Sequence, residues 1–532
     1  MLGKRPNQRG LFEVDNLYRD YIGTDNFYAY LASQRGKLFR DEDFADLYCP
    51  DNGRRGVPPG MLATALILQT YDRVSDEEAK RRADYDMQWK FALGVELTER
   101  PFAKSTLQLF RAQLVLHDKA RAMFIGSIEL AKSEGFLKHR KKLRQAIDTT
   151  AILGRGAVKD TYNLLADGIV QLVQVLAEQA DATPESWAGE RGLERYFGSS
   201  IKGDAEIDWH DDQSRKAFLA SIVEDADRLL ELARDARSRH EADSDQAKQI
   251  EQAAALLLQL LVQDIERGPD GPSIIKGVAK DRVVSVHDPE MRHGRKSSRG
   301  RFDGHKGAFG VDTDSQLISA VDLLPGNSHD SKGALELTEQ SEENTGMQVG
   351  DTVGDCAYGT GEVRREFAEA DREIIAPVPA PPATGKFPKT SFTISHDEDS
   401  VTCPAGCTTR RFKRVPSPPK ANGRRYRVKR FAFPQSECAT CSMRADCLKG
   451  KGARTITLHP QEAMMRQARE FQETEAFREA KRRRQTVEHR IARLRQLGVG
   501  QARYFGWAKT LFQLLIAATV ANLTLIAAAA RV

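Results

Sequence analysis

Three carboxylates at distant positions of the 532-residue chain have side chains suited to metal-dependent phosphoryl transfer. Asp148 closes the short apolar run Leu143-Arg-Gln-Ala-Ile-Asp148, and Asp355 closes another in the segment Val353-Gly-Asp355-Cys-Ala-Tyr358. Glu488 lies inside a long stretch with helical periodicity. Two strand-end aspartates and one helix glutamate can converge on a pair of divalent metal ions. Singly, each is more typical of a turn, a helix cap or a surface ion pair. Together they predict a metal-dependent site.

The helical spacing around Glu488 places cations beside it. Arg484, Glu488 and Arg495 are separated by intervals close to whole helical turns, so we expect their side chains to share one face. The opposite stripe is apolar and is predicted to be buried: Val487, Ile491 and Leu494. A surface ion-pair ladder has the same spacing. The two upstream aspartates favour instead a metal ligand flanked by arginines, whose planar guanidinium groups suit phosphate oxygens.

Positive charge is concentrated in particular segments, although the net charge is only +5. The segment from Arg410 to Arg430 holds ten Lys or Arg residues and no acid, and Lys481-Arg-Arg-Arg484 precedes Glu488 directly. One such run is usually a solvated face. Several runs around a candidate phosphoryl-transfer site favour a polyanionic partner.

Five of the seven cysteines lie between Cys403 and Cys447. The N-terminus has no apolar secretory stretch, so we expect a cytoplasmic, reducing compartment in which disulfides are rare. The candidate zinc ligands are spaced C-x3-C and then C-x2-C-x5-C: Cys403, Cys407, Cys438, Cys441 and Cys447. This pattern is compatible with a tetrahedral structural zinc site, and ordinary free thiols are the alternative.

An apolar segment near the C-terminus is long enough to cross a bilayer, since 21 uncharged residues separate Lys509 from Arg531. It is rich in alanine and contains Gln513 and Asn522. We therefore predict a buried core helix and no membrane association.

The remaining patterns predict a mixed α/β protein. Residues 1–140 read as helices with basic, turn-rich connections, typical of a helix-turn-helix DNA reader and also of small bundles without DNA affinity. Strand patterns occur at 282–286 and in a hairpin formed by 307–311 and 317–321. Residues 460–498 read as helical. Strands followed by helices indicate an α/β (α+β) core with a mixed sheet.

These motifs resemble a known family, the bacterial insertion-sequence transposases of the Asp-Asp-Glu (DDE) type, in the subgroup with an InsH-type helical N-terminal domain. The resemblance covers nearly the whole chain and rests on several segments: Asp41–Leu47, Gly53–Pro59, Ser105–Arg111, Ile147–Thr150, Gly156–Tyr162, His287–Glu290, Gly304–Lys306, Asn327–Asp330, Gly354–Tyr358 and the Glu488 helix. The family's third motif reads Tyr-x2-Arg-x3-Glu-x6-Lys. Arg484 and Glu488 fit it, whereas Lys481 replaces the Tyr and Arg495 replaces the Lys.

The resemblance implies a ribonuclease-H-like catalytic core in which Asp148, Asp355 and Glu488 bind two Mg²⁺ or Mn²⁺ ions. Lys481, Arg484 and Arg495 would bind DNA phosphates. The implied substrates are double-stranded transposon ends and target DNA, handled by a homodimer or higher oligomer near the nucleoid. Two rivals stay open: a non-catalytic, zinc-containing DNA-binding regulator, and a metal-dependent nuclease that cuts without joining.

The expected organisation has six segments: a helical N-terminal domain for DNA-end binding at 1–140, the first part of the core at 141–170, a helical insertion at 171–270, core strands with the second aspartate at 271–375, a β-rich basic insertion with the cysteines at 376–455, and C-terminal core helices with Glu488 at 456–532.

Overall fold

The computed structural model describes residues 1–5, 12–138, 140–296, 300–380, 386–395, 397–417 and 425–530. Part of the predicted basic run, residues 418–424 with Lys420 and Arg424, lies outside the described residues.

The N-terminal region is helical, as predicted. A 3₁₀ helix at Asp41–Leu47 accompanies eight α-helices: α1 (Val14–Leu17), α2 (Arg19–Ile22), α3 (Phe27–Ser33), α4 (Pro59–Asp72), α5 (Asp76–Tyr85), α6 (Met87–Leu93), α7 (Lys104–Leu116) and α8 (Lys119–Ser133). Local signals set several boundaries. Pro59 occupies the first turn of α4, where its missing N–H has no cost, and the Ser75 side chain caps α5 by accepting from Glu78 N. The domain boundaries themselves stay predictions.

A helical segment follows the first strand, β1 (Leu143–Leu153). It comprises α9 (Thr161–Gln179), α10 (Pro184–Gly189), a 3₁₀ turn (Glu194–Phe197), α11 (Asp212–Ser238), α12 (Asp245–Asp264) and the hairpin β2 (Ile265–Gly268)–β3 (Gly271–Ile274). These elements bury an apolar core of their own. Asp160, Asp211 and Ser244 cap α9, α11 and α12 in turn. The segment is therefore stabilised separately from the sheet that it interrupts.

A six-stranded mixed sheet forms the centre of the protein, which confirms the predicted mixed sheet. Its further elements are β4 (Arg292–Arg295), β5 (Arg301–Asp312), β6 (Ile318–Pro325), α13 (Ala334–Thr345), β7 (Val349–Val353), α14 (Gly361–Glu369) and β8 (Ile374–Ile375). The strand order is β6-β5-β1-β7-β8, and β4 pairs with the first part of β5. β5 is antiparallel to β1, β4 and β6, whereas β7 is parallel to β1 and β8 to β7. The predicted hairpin is β5–β6.

The strand predicted at 282–286 is wrong. Val283, Val284 and Val286 are buried, but no ladder forms there; Val283 and Val286 pack on the core of the helical segment. The side-chain amide of Gln263 accepts from Val283 N at 2.9 Å and donates to Val283 O at 3.0 Å. Because the Gln263 side chain satisfies the backbone N–H and C=O of Val283, the apolar run is buried without a partner strand.

A small lobe lies between β8 and the C-terminal helices; we call the described residues of 386–458 the cysteine lobe. It contains a 3₁₀ turn (Lys389–Ser391), β9 (Thr393–Ser395), β10 (Ser400–Thr402), β11 (Thr408–Thr409), β12 (Phe412–Pro416), β13 (Arg427–Ala432), α15 (Gln435–Thr440), α16 (Arg444–Cys447) and β14 (Thr455–Leu458). The strands form two three-stranded sheets, β11-β10-β9 and β12-β13-β14.

The helix expected over 460–498 is divided into α17 (Glu462–Gln472), α18 (Glu475–Arg483) and α19 (Gln485–Gln496), and α20 (Trp507–Ala529) follows. Thr474 caps α18 through Phe477 N, which separates it from α17. α20 is long and apolar enough to cross a membrane, but 72% of its most apolar window is buried in the protein. The Asn522 amide pairs with both Ile318 N and Ile318 O at 3.0 and 2.9 Å, which fixes α20 against β6.

One continuous apolar core joins the N-terminal helices, α19 and α20 to one face of the sheet. On the other face, a second cluster includes side chains from α13 and α14. The carboxyl end of β7 lies between these two layers, and the candidate site is located there.

Candidate active site

Asp148 lies in the middle of β1, so its expected place at a strand end is wrong. β1 continues to Leu153 because β5 pairs with it over that whole length. This extension needs Gly304, whose φ is +150°, since a Cβ there would come 2.1 Å from Ile152 O. On the other side of β1, however, β7 ends at Val353, opposite Ala146. Asp148 is therefore beside the open end of a parallel strand, although its own strand continues.

Asp355 follows that open end directly. It lies two residues after β7, and its Oδ1 accepts a hydrogen bond from Ala357 N at 2.8 Å. Tyr358 N also donates to Asp355 O at 3.1 Å, so a tight turn fixes the aspartate. The carboxyl ends of neighbouring parallel strands are where α/β proteins commonly place their functional groups.

Glu488 is in the first turn of α19, a helix that packs across β1 and β5. The residue before this helix, Arg484, joins two of the carboxylates. Its Nη1 lies 3.2 Å from Asp148 Oδ2, and its Nη2 donates to Glu488 Oε1. The apolar stripe of α19 is buried as predicted, which orients the Glu488 face toward the sheet edge: Val487, Ile491 and Leu494.

Electrostatics link all three carboxylates. Burial, together with the negative charges of Asp355 and Glu488, raises the pKa of Asp148 to about 6. The hydrogen bond from Thr149 N, at 2.7 Å, and the charge of Arg484 oppose the rise. A carboxyl group with a raised pKa beside two others is typical of functional sites.

In the described ranges, no three or more His, Cys, Asp or Glu side chains are placed as ligands of one metal ion. At the carboxylate cluster, the Arg484 guanidinium is the cation between Asp148 and Glu488. The donor set itself, three carboxylates with a raised pKa at one of them, has the chemistry that Mg²⁺ and Mn²⁺ prefer. The residues fit a divalent metal in their chemistry, provided that Arg484 moves.

The other predicted phosphate-binding cations have different surroundings. Arg495 hydrogen-bonds Thr150 Oγ1 on β1 through Nε and Nη2, at 3.0 and 2.8 Å, so it lies near Asp148. Lys481 is exposed on α18. Within the same basic run, Arg482 pairs with Glu475, and Arg483 forms a bidentate pair with Asp351 on β7.

The sequence assigned no role to three residues that the structure places near the site, namely Lys306, Asp330 and Tyr358. Lys306 on β5 is almost fully buried and donates to Asp330 Oδ1 and to Ser328 O, both at 2.7 Å. Tyr358 is buried too, and burial together with the charges of Asp148, Asp330 and Asp355 raises its pKa. All three lie in segments that carried the family resemblance, but spacing alone gave no sign that they surround one edge of the sheet.

The five candidate zinc ligands lie together in the cysteine lobe as partly buried free thiols. Four of them pack against its apolar core: Cys403, Cys407, Cys438 and Cys447.

Comparison with known families gives two matches. Residues 402–527, which include the cysteine lobe from β11 onward and Glu488, match the family described as "Transposase DDE domain". Residues 18–113 match "Transposase domain (DUF772)", which covers most of the N-terminal helices. No curated protein matches the chain. Two transposase families thus match both ends of the chain, and these matches support an insertion-sequence transposase of the DDE type.

Proposed function

We propose that this protein cuts DNA at the ends of its element and joins the freed 3′-OH to target DNA. The proposal rests on the electrostatic interaction of three carboxylates from β1, the end of β7 and α19. The charges of Asp355 and Glu488 act on Asp148, and Arg484 hydrogen-bonds both Asp148 and Glu488. Their positions along the chain are far apart, so only the fold brings them together. The family matches support DNA as the substrate.

A ribonuclease-H-like core is part of the proposal. Support comes from the connectivity: the antiparallel strands β1, β5 and β6 are followed by α13, parallel β7, α14 and parallel β8. If these five strands (β1, β5, β6, β7 and β8) are renumbered one to five in chain order, their order across the sheet is 3-2-1-4-5. The aspartates then lie on the central strand and directly after the strand parallel to it.

Asp148, Asp355 and Glu488 would hold two Mg²⁺ or Mn²⁺ ions. Ions bound there would supply activation of the attacking oxygen and stabilisation of the leaving oxygen in an in-line displacement. The chain itself orients the ligands: the Ala357 N–H fixes Asp355, the Thr149 N–H fixes Asp148, and the buried stripe of α19 fixes Glu488.

Arg484 has a second role in the proposal. A guanidinium that bridges two carboxylates in the free protein can exchange them for a phosphate of the bound DNA, since anionic oxygens of both groups accept charge-assisted hydrogen bonds from its N–H groups. Arg495, held by Thr150, would bind the phosphate next along the strand. Arg484 would thus leave the carboxylates as substrate arrives.

The cysteine lobe presents positive charge for the same substrate. Its β12–β13 hairpin exposes Lys413, Arg414, Arg427 and Arg430, whereas Lys429 pairs with Asp399. Exposed cations on two neighbouring strands suit contacts with the DNA backbone.

The test is replacement of Glu488 by Gln, which keeps shape and helical propensity but removes the charge that holds a divalent ion. With Mg²⁺ and a duplex that carries the element's own ends, we expect E488Q to bind the ends and to lose cleavage. D148N and D355N should behave alike, because the three ligands act as one unit. Glu479, exposed on α18, gives the matched control E479Q, which should cut normally.

Three outcomes would contradict the proposal in whole or in part. A wild-type protein that binds the ends but neither cuts nor joins them would be a non-catalytic DNA-binding regulator. One that cuts but never joins would be a metal-dependent nuclease. Activity that survives in E488Q would remove Glu488 from the site.

A further inference from the structure

The cysteine lobe has a small core for the number of elements that it holds. Six buried apolar side chains make up that core: Phe392, Val401, Phe431, Phe433, Ile456 and Leu458. Two three-stranded sheets and two short helices, α15 and α16, depend on it. A unit with so few buried side chains usually needs a disulfide or a metal for stability. All cysteines are free thiols, so no disulfide supplies it.

The first cysteine pair lies on a tight turn between β10 and β11. Cys403 N donates to Cys407 O at 2.8 Å, and Gly406 N donates to Cys403 O at 2.9 Å. Gly406 has φ +82°, a conformation that favours glycine, so the turn is fixed by its sequence. Both cysteines pack against the lobe's apolar core.

The second pair lies at the end of α15, where Cys438 is in the helix and Cys441 is its C-cap. Arg444 holds the backbone of both residues: its N–H donates to Cys441 O at 3.1 Å, and its Nη1 donates to Cys438 O at 2.6 Å. This pair is therefore presented by a fixed turn, as the first is.

The two pairs share one apolar core, against which Cys403 and Cys407 pack from the first turn and Cys438 from the second. Burial raises the pKa of the Cys407 thiol, and the neighbouring thiols of Cys403, Cys438 and Cys441 add to that rise. Because that core is shared, the two turns bring their thiols to one part of the lobe.

We propose that Cys403, Cys407, Cys438 and Cys441 bind one structural zinc ion that stabilises the cysteine lobe. The spacings C-x3-C and C-x2-C both fall within the C-x2–4-C range of structural zinc sites, and soft thiolates select zinc. Cys447 is the fifth thiol. It packs against the same core, but it ends α16 after a five-residue spacing, outside that range, so the proposal leaves it out of the ligand set.

Zinc binding moves side chains and protons. The thiols are gathered but are not placed as metal ligands, so the ion would draw the four sulfurs into a tetrahedron. Each thiol that binds releases its proton. The resulting Zn(Cys)₄ group carries a double negative charge, which Arg444 and the basic residues of the lobe offset.

The test uses the full-length chain, purified without chelator and without a histidine tag. Elemental analysis should find about one zinc per chain. After removal of zinc under a phosphine reductant, added Co²⁺ should give the intense visible bands of a tetrahedral thiolate site. C438S and C441S should lose the zinc, and C447S, the matched control from the same cluster, should keep it.

Several results would overturn the proposal. A zinc-free wild type that, once reduced, binds neither Zn²⁺ nor Co²⁺ rejects the site, whether or not any variant folds. Zinc that is lost in C447S and retained in C407S rejects this ligand set. D148N should keep its zinc, so a failure of the proposed DNA chemistry and a failure of the zinc site are separable.

Discussion

Arg484 is hydrogen-bonded to Asp148, with its Nη1 3.2 Å from Oδ2, and its other terminal nitrogen reaches Glu488. An arginine from the start of α19 thus supplies the positive charge between two carboxylates proposed to hold metal. In the proposed function the same guanidinium has two alternative partners, the carboxylates in the free protein and a DNA phosphate in the complex.

Replacement of Arg484 by Ala should weaken end-DNA binding and make it less sensitive to salt. Loss of one phosphate contact lowers the slope of log K against log salt by about 1. Fluorescence anisotropy with a labelled end duplex, at several salt concentrations, measures both effects. The matched control is R482A, since Arg482 belongs to the same basic run but is exposed and paired with Glu475. Equal behaviour of the two variants would make Arg484 an ordinary ion-pair residue.

Much of this region was predictable from sequence, because helical spacing alone placed Arg484 beside Glu488. The partner of each arginine in the basic run could not be predicted from sequence. Arg483 and Arg484 are neighbours, yet one pairs with Asp351 on β7 and the other with Asp148 on β1. A run of basic residues shows how many cations are present. The ion-pair partner of each cation depends on which strand lies beside it in the fold.

The strand predictions failed where tertiary partners decide the backbone's hydrogen bonds. Asp148 ends an apolar run and was expected to end a strand, but β5 extends the pairing to Leu153. Val283 is apolar enough for a strand, but Gln263 pairs its backbone. The Lys306–Asp330 pair joins β5 to a loop beyond β6, a contact that no local pattern contains.

The Arg483–Asp351 pair should contribute to stability, unlike the exposed arginine beside it. Both side chains are only about one-fifth exposed, at 16% and 21%, and two hydrogen bonds of 3.0 and 2.9 Å join them. D351A would leave a partly buried guanidinium without its partner, so we expect a loss of about 1–3 kcal/mol in the free energy of unfolding. Chemical denaturation measures it. R482A should change stability by less than about 0.5 kcal/mol. Equal losses would contradict the prediction.

Divalent metal binding should weaken as the pH falls below about 6. The pKa of Asp148 is raised to about 6 in the metal-free protein, so a proton competes with the ion for this carboxylate. Below that pH we expect the affinity to fall by up to about tenfold per pH unit. Calorimetric titration with Mn²⁺ at pH 5 and pH 7.5 tests this. An affinity that is the same at both values would exclude Asp148 as a titrating ligand.

The carboxylate cluster should also lower the stability of the metal-free protein. Burial and the charges of Asp355 and Glu488 raise the pKa of Asp148 from 3.8 to about 6, so the folded state binds this proton more tightly than the unfolded state does. The stabilisation that the folded protein gains by binding this proton is fully present below pH about 3.8. It is lost as the pH rises through about 6. Asn removes the buried charge at every pH. At pH 7, D148N should therefore be more stable than wild type by about 1–3 kcal/mol.

Denaturation in magnesium-free buffer measures this difference, and chelators are avoided because they would also remove the zinc proposed for the cysteine lobe. The gap between D148N and wild type should narrow as the pH falls from 6 to 4 and should stay constant above 7. Asp51, in an exposed loop, gives the control D51N, which should show neither effect. A D148N variant less stable than wild type at pH 7 would mean that the hydrogen bond to Arg484 outweighs the burial of the charge. Asp148 would then be a structural partner of that arginine before it is a metal ligand.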